Sequence, residues 1–409
     1  MKPALVALFV SSALMTAAVS EASAVSTLVA ADRLGAALGG LPNTAAVAGT
    51  GAGALALSRI MAAHGRRRGL LIGYAAALLG AGLATVAVPR HDIALLVAGM
   101  TLLGFGNAGA NLSRYAAADL YPDRPGTAIG AVVWAGTVGA VGGPLLMLPA
   151  QHAAAGAGWD PMSGPFLLAA IAVGGALLVA VGTPRIRPER TVAYGRPFRS
   201  PAVRSAAATM VTAQVVMAAV VTAAPLSMHL HHQDLGAIGT MLSAHTLGMF
   251  ALAPASGWLL DRVGGRAVMT AGLATMAGSA CLVATAPSQA VLIGILFLLG
   301  YGWNLCLVGG SGVLTRQLPG AGATRAQGAV EATSWGTSTL ATTASTLMFV
   351  HDGYPMLAIG AASLCILPLL ALPGPNLGRR VDVCDRDAES SAGTQQLAIS
   401  AGHDEIVIS

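Results

Sequence analysis

The stretch from residue 229 to residue 266 decides how the rest of the chain is read. It begins with the polar run HLHHQD (229–234), continues through mostly apolar residues, and ends in GWLLDRVGGR (257–266). The apolar part is long enough to cross a bilayer, which takes roughly 20 residues. Met241, His245 and Met249 recur within it at every fourth position, so they lie on one face of a helix. The stretch therefore predicts a membrane-crossing helix with a candidate binding face.

The composition extends this prediction to the whole chain. Of its 409 residues, 55% are hydrophobic and 10% are charged, whereas a soluble protein usually has about 25% charged residues. Apolar runs occur from one end to the other, which indicates an all-α polytopic membrane protein. The four cysteines are scattered and form no CxxC pair, so we expect neither a disulfide framework nor a zinc site. We expect no cofactor and no nucleic-acid partner.

Twelve crossings can be drawn between short polar breaks. They span residues 4–31, 41–61, 69–88, 93–116, 126–150, 163–183, 205–227, 236–259, 267–286, 290–314, 326–349 and 354–373. The first 24 residues also resemble a secretory signal peptide with an Ala-x-Ala end. We favour a retained first helix, because its apolar character continues to about Ala31 and the count of twelve needs it.

The basic residues predict the orientation, since cytoplasmic loops carry an excess of Lys and Arg. Arg33 and Arg90 fall on one side of the membrane. The other side takes 20 of the 22 basic residues, namely Lys2, Arg59, Arg66, Arg67, Arg68, Arg114, Arg124, Arg185, Arg187, Arg190, Arg196, Arg199, Arg204, Arg262, Arg266, Arg316, Arg325, Arg379, Arg380 and Arg386. This split predicts a protein of the cell (inner) membrane with both termini in the cytoplasm.

The longest internal loop divides the chain into two halves. Residues 184–204 hold six arginines and predict a solvated basic cytoplasmic linker near anionic lipid. Residues 1–183 and 205–374 then form an N-terminal and a C-terminal half of six helices each. Residues 375–409 are polar and predict a disordered cytoplasmic tail. We expect the chain to be a monomer.

The loop motif at 257–266 and the two six-helix halves together resemble the major facilitator superfamily. The motif of that family reads Gly-x-x-x-Asp-Arg-x-Gly-Arg-Arg and latches the cytoplasmic side. Its second copy is complete here, with Gly257, Asp261, Arg262, Gly264 and Arg266. The first copy, at 58–68, keeps its basic end but has alanines in place of the Asp and Arg. The residues that remain of it are Gly65, Arg66 and Arg67. The resemblance implies a twelve-helix transporter whose latch rests mainly on the second copy.

The predicted fifth helix carries a second family resemblance. Gly130, Gly139, Gly143 and Pro144 are similar to the proline-kinked motif of members that act as antiporters. The usual closing glycine pair is replaced by Met147 and Leu148. Small residues and a proline let a neighbouring helix approach and bend, so we expect a packing role and infer no direction of transport.

A narrower resemblance is to the bacterial copper-importer branch and its proposed riboflavin-carrier relatives. It rests on PLSMHLHH (225–232), on His245-x-x-x-Met249 and on GYGWN (300–304). That branch also carries Met-x-x-x-Met in the seventh helix. Here Met217 is present, but Val221 stands four residues later, and Met210 offers a substitute on a similar face.

The metal hypothesis competes with simple packing. Thioether sulfur and imidazole suit Cu(I), so Met217, Met241, His245 and Met249 would form a path for the ion. Methionine is also a common filler of apolar cores. A histidine in mid-membrane is costly and usually functional, so His245 either lines the transport cavity or packs. The cluster of His229, His231 and His232, with Asp234 beside it, would collect metal at the outer mouth or would be a solvated loop.

Glu21 is the one carboxylate that falls clearly inside a predicted crossing. A charged residue at the centre of a membrane helix costs roughly 2.5–3.5 kcal/mol or more, and protonation relieves that cost. Glu21 is therefore a candidate for proton coupling, with a position at the membrane interface as the alternative. Glu331, Asp119 and Arg325 lie near predicted cytoplasmic ends and are assigned to latch contacts.

These features predict a secondary active transporter that works by alternating access. The chain has no phosphate-binding Walker motif, so an ion or solute gradient supplies the energy. Copper import is the leading hypothesis. The alternative is a proton-coupled carrier of a small organic molecule, either a riboflavin-like compound or a drug. A membrane enzyme with a histidine-bound metal is disfavoured, because it would need a dense set of His or carboxylate residues on one face.

Overall fold

The computed structural model describes residues 3–35, 38–184, 197–230, 235–283, 285, 288–318 and 320–372. A short 3-10 turn spans Pro197–Arg199. The α-helices are α1 (Pro3–Leu34), α2 (Leu41–His64), α3 (Arg66–Arg90), α4 (Ile93–Leu120), α5 (Pro125–Gly156), α6 (Ser163–Val181), α7 (Pro201–Leu230), α8 (Leu235–Phe250), α9 (Ala253–Val263), α10 (Gly265–Val283), α11 (Gln289–Gln317), α12 (Gly320–Leu364) and α13 (Ile366–Leu370).

The predicted all-α membrane fold with twelve crossings is confirmed. Ten helices of the described residues are long and apolar enough to span a bilayer. The eighth crossing consists of α8 and α9 together. α12 contains the eleventh crossing and the start of the twelfth, which are divided at Gly353, where φ is 78°. Because the chain reverses at every loop, all arginines of the described ranges except Arg33 and Arg90 lie at one end of the bundle, here called the arginine-rich face.

The eighth crossing was expected to be one helix over 236–259, and this is wrong. The helix breaks at residues 251–252, and Pro254 stands at the start of α9. Proline has no backbone N–H and its ring clashes with the carbonyl four residues earlier, so the helix cannot run straight through. The carbonyl of Met249, just before the break, accepts a hydrogen bond from Asn304 Nδ2 of α11 at 2.6 Å.

The division of the bundle into two halves stays a prediction, and below "first half" means α1 to α6 and "second half" means α7 to α13. α7 begins at Pro201, so it includes residues that were assigned to the linker. Residues 185–196 of that linker and the tail 375–409 lie outside the described residues. α1 packs against α4, α5 and α6, and its Met15, Ala18 and Val25 are fully buried.

Two glycines of the fifth crossing, Gly139 and Gly143, lie close to the backbone of α1. A Cβ at Gly139 or Gly143 would overlap the backbone of α1, at Ala13 and Ala17. A Cβ at Gly142, on the same turn of α5, would meet no atom within 4 Å. Because association in lipid relies on close packing of small residues, the first two glycines hold α5 against α1.

We expect Gly143→Ala to destabilise the protein by about 1–3 kcal/mol, the usual cost of overpacking. Gly142→Ala is the matched control, and it should leave stability unchanged or raise it slightly, because alanine favours the helix. Thermal unfolding of the two purified variants in one detergent measures the difference. Equal stability of both variants would contradict this packing account.

Candidate functional site: a central cavity closed at one face

A cavity of about 440 Å³ lies between the two halves of the bundle. Helices α1, α4 and α5 line it from the first half, and α7, α8, α11 and α12 line it from the second. Its polar lining includes Ser12, Asn107, Asn111, Gln214 and Ser334. Both halves therefore supply side chains that would contact a molecule bound in the cavity.

Aromatic side chains form part of the wall. Phe250 and Trp303 pack edge to face with ring centroids 6.1 Å apart, and Trp335 lines the cavity from α12. The indole Nε1 of Trp303 donates a hydrogen bond to Gln214 Oε1 at 2.9 Å. This bond fixes one aromatic ring beside an amide, which is a suitable surface for a flat polar molecule.

A buried ion pair lies at the arginine-rich end of the cavity. Arg114 of α4 donates through Nη2 to the carboxylate of Glu331 in α12. The two side chains are only 4% and 5% exposed. Arg114 Nε also donates to Ser311 Oγ of α11 at 2.9 Å. Arg114 and Glu331 both line the cavity, so a single pair closes its floor and bridges the halves.

The complete copy of the loop motif makes a second bridge. Asp261 Oδ1 accepts from the backbone N–H of Gly126 at 2.8 Å, and Oδ2 accepts from the N–H and hydroxyl of Thr127, each at 2.7 Å. These groups begin α5 of the opposite half, where backbone N–H groups lack partners within the helix. Asp261 therefore caps α5 from the other half of the protein. Arg316 reaches the same carboxylate at 3.3 Å.

The incomplete first copy of the loop motif also contacts the second half, and it does so through Arg66. Arg66 Nε donates to Asp119 Oδ2 of its own half, and its Nη2 donates to Gln327 Oε1 of α12, both at 3.0 Å. Near this contact a Cβ at Gly328 would overlap Ser58. Arg66 thus links the halves although the motif has lost its Asp and Arg.

The two copies share one backbone feature. Gly65 has φ of 92° and Gly264 has φ of 86°, and each ends one helix and begins the next. Such positive φ values favour glycine. Gly257 packs directly on Gly126 of α5. All three bridges lie toward the arginine-rich face, so this face is the closed one.

Residues predicted for the metal path fall in two places. Met217 and Met249 line the cavity, whereas Met241 and His245 are not among its lining residues. Met241 is fully buried. His245 is 3% exposed, its Nδ1 lies 2.9 Å from the carbonyl of Leu296 in α11, and its Nε2 has no partner within the described residues.

Other candidate ligands give no metal centre within the described ranges. Met210 lines the cavity, and its sulfur lies against Gly310 of α11. No group of three or more His, Cys, Asp or Glu residues that could hold a metal is found in the part of the chain that the structure describes. The structure does not describe the side chains of the predicted cluster at the outer mouth, which are those of His229, His231 and His232.

Glu21 is buried in the first half. The residue is only 2% exposed, and its Oε1 has no hydrogen-bond partner within the described residues. Ser20, its neighbour in α1, lines the cavity, but Glu21 does not. The structure therefore places this carboxyl in the core of the first half.

Sequence reasoning assigned Glu331 to latch contacts and did not single out its pairing with Arg114. Glu331 falls inside the predicted crossing 326–349, and Arg114 falls inside 93–116. The cost of a charge in the membrane, which drew attention to Glu21, applies equally to these two residues. That signal would have identified each of them as a charged residue that needs a partner, although it would not have said which residue the partner is.

The comparisons with known proteins agree with this geometry. The family model described as Major Facilitator Superfamily matches residues 5–233 and 206–383. The uncharacterized MFS-type transporter YdeG of Bacillus subtilis is 28% identical over 369 residues, which are 85% of this chain and 86% of that protein. The riboflavin transporter RfnT of Brucella anthropi is 28% identical over 339 residues, covering 79% and 83% of the two chains.

Solved structures share the fold. The human organic anion transporter MFSD10 superposes with a TM-score of 0.75 at 15% identity, covering 91% of this chain and 99% of that one. The transporter FucP in its outward conformation gives a TM-score of 0.71 at 13% identity, with 90% and 97% covered.

We expect Asp261→Ala to open the arginine-rich face. The substitution removes a helix cap worth about 0.5–2 kcal/mol, so the closed arrangement loses stability. Thiol labelling of a cysteine placed at Ile129, which is fully buried in an apolar cluster with Ala253 and Leu260 of α9, measures the opening as a faster reaction. Asp160→Ala, which removes a carboxylate contact within the loop before α6, is the control and should leave the labelling rate unchanged. An unchanged rate in Asp261→Ala would contradict the role of Asp261.

Proposed function

Because the chain belongs to the Major Facilitator Superfamily, we propose that it is a secondary carrier of a small organic solute, driven by protons and working by alternating access. The chain is a multi-pass membrane transporter and not an enzyme. The observation that carries the proposal is the cavity between the halves, with aromatic rings and amides in its wall. Substrate sites of this kind lie at the interface of the two repeats.

The size and lining of the cavity favour an organic molecule. Pockets for small molecules usually measure about 300–1,000 Å³ and combine apolar walls with a few polar groups. The cavity has about 440 Å³, with Phe250, Trp303 and Trp335 in its wall and Gln214 fixed beside Trp303. A bare metal ion needs neither the volume nor the flat aromatic surfaces.

Copper import is the second candidate, and one observation favours it. Three thioethers, those of Met210, Met217 and Met249, line the cavity, and thioethers suit Cu(I). Against it, His245 points to α11 and the sulfur of Met210 packs on Gly310. This leaves Met217 and Met249 as the thioethers that a copper ion would use.

The bridges define the movement that transport requires. We assign the arginine-rich face to the cytoplasm, because cytoplasmic loops carry an excess of Lys and Arg, and the closed face is then the inner one. Release of solute inward would require the contacts of Asp261, Arg66 and Arg114 with the opposite half to break together. Each contact joins different helix pairs, so the halves would rock as units.

Glu21 is the residue that we assign to proton coupling in the first half. It lies one residue from the cavity-lining Ser20, and its Oε1 is buried without a partner. Such a carboxyl can gain and lose a proton without breaking a hydrogen bond to that oxygen. The riboflavin relative makes flavin-like compounds suitable first substrates to test.

We expect purified protein in liposomes to move protons when an organic substrate is added, and to move no Cu(I). A pH-sensitive dye inside the liposomes reports proton movement for a panel that includes riboflavin, and a Cu(I) indicator reports copper. Trp303→Leu removes the ring and its bond to Gln214 and should weaken substrate affinity roughly tenfold. The double variant Met217→Leu and Met249→Leu keeps the apolar volume and should transport the organic substrate normally. Copper uptake that the double variant abolishes would overturn the proposal.

We expect Glu21→Gln to bind substrate but to transport it without dependence on the proton gradient, because glutamine cannot gain a proton. Substrate-induced thermal stabilisation measures binding, and uptake with and without an imposed pH gradient measures coupling. Ser20→Ala is the control, since it changes a neighbouring residue of the cavity wall without removing a carboxyl. Gradient-driven uptake that persists in Glu21→Gln would contradict the assignment of Glu21.

A further inference from the structure

Arg114 and Glu331 are the charged side chains that line the cavity within the described residues. They come from opposite halves, and both are almost fully removed from solvent. Charges buried in this way are costly unless they are paired. The cavity floor therefore carries one positive and one negative charge, which balance each other as long as the pair is intact.

Arg114 is held by more than its partner. Its Nε donates to Ser311 Oγ at 2.9 Å, its Nη1 donates to the carbonyl of Asn111 at 2.7 Å, and its Nη2 donates to the hydroxyl of Tyr115 at 3.3 Å. These contacts are neutral and come from α4 and α11. They keep the guanidinium at the cavity floor if Glu331 withdraws, but they do not balance its charge.

The two charges differ in what can neutralise them. An arginine keeps its proton in proteins, whereas a carboxylate can take one up. If Glu331 binds a proton, the buried guanidinium needs another anion. The groups that face Glu331 from α4 are Arg114 and Tyr115. Arg66 and Asp119 form a separate pair nearer the arginine-rich face, so they do not supply that anion.

We propose that the cavity binds an organic anion, whose carboxylate takes the place of Glu331 on Arg114 while Glu331 takes up a proton. This proposal deepens the proposed function and rests on it. The charges balance: Arg114⁺ with Glu331⁻ becomes Arg114⁺ with the substrate anion and a neutral Glu331. One anion and one proton then enter the cavity together without net charge, and Glu21 keeps its separate role in coupling to the proton gradient. Guanidinium and carboxylate match in geometry, and the aromatic wall contacts the organic part.

The exchange also connects substrate binding to the movement of the halves. The Arg114–Glu331 contact joins α4 to α12. A substrate anion on Arg114 and a proton on Glu331 remove this bridge, and no buried charge is left unpaired. An empty cavity at high pH keeps the bridge, so the arginine-rich face stays closed when nothing is bound.

The test uses three aromatic probes of one size: benzoate (an anion), benzamide (neutral) and benzylamine (a cation). The full chain in lipid nanodiscs is heated with each probe, and proton uptake on binding is measured in weakly buffered solution. We expect benzoate alone to protect the wild type, better at about pH 5.5 than at about pH 7.5, with uptake of about one proton per benzoate bound.

Two variants distinguish the role of Glu331 in proton uptake from the role of Arg114 in binding the anion. Glu331→Gln should bind benzoate without proton uptake and with equal protection at both pH values. The double variant Arg114→Gln with Glu331→Gln leaves no unpaired charge, so it should fold, and it should bind benzoate at least about tenfold more weakly than Glu331→Gln. Thr333→Ala removes an exposed hydroxyl of α12 that lies two residues from Glu331 and outside the cavity lining. It is the control and should bind benzoate like the wild type, with the same proton uptake.

Three results would overturn the anion site and leave the proposed function standing. The first is equal benzoate binding by the double variant and Glu331→Gln, which would leave the pair a purely structural bridge. The second is proton uptake on benzoate binding that persists unchanged in Glu331→Gln. The third is preferential protection by benzamide or benzylamine, which would leave a carrier of organic solutes standing. Protection by none of the probes would contradict both this site and the proposed function.

Discussion

The buried contact between Arg114 and Glu331 is the constraint on which the arrangement of the halves depends. Two charged groups lie inside a chain in which 10% of residues are charged, and they are paired across the interface between the halves. Separating them without a replacement would leave an unpaired buried charge, at a cost of about 3–5 kcal/mol. The halves can therefore separate at this face only when something else satisfies both groups.

The other contacts between the halves differ from this pair in how strongly they resist separation. Asp261 caps a helix of the opposite half at the surface, where water can replace it, and it is held by Arg316. Arg66 lies between, with one partner in each half. Close glycine contacts, such as Gly257 on Gly126, let the helices approach but resist separation only weakly. The strongest resistance thus lies at the cavity floor, which is where a bound solute can act on it.

The sequence predicted the crossings well because length and apolar character determine what spans a bilayer. It drew attention to Asp261 because that motif is local, although the contacts of Asp261 with Gly126 and Thr127 appear only in the structure. It failed where the answer depends on a neighbour. A spacing of four residues places Met241, His245 and Met249 on one helix face. Only the packed structure shows that the ring of His245 lies against the carbonyl of Leu296 in α11. Arg114 and Glu331 are separated by 217 residues, and no local pattern joins them.

Pro254 is present in the sequence and could have indicated the break between α8 and α9. The continuous apolar run around it favoured a single helix instead. Arg66 replaces the lost residues of the first motif copy through a partner in α12, so a motif that looks damaged still joins the halves. Both cases have the same physical reason. The function of a residue in this bundle depends on which helix stands opposite, and a single sequence does not record that.

The most direct test of this account measures the two faces of the bundle at once. Spin labels at Ala63 and Arg325 report the α2–α12 distance at the arginine-rich face, and labels at Leu41 and His351 report it at the other, all four positions being exposed. We expect a short first distance in the absence of solute. On adding solute at low pH, the first distance should lengthen while the second shortens. Two distances that stay fixed, or that change in the same direction, would contradict alternating access by rocking of the halves.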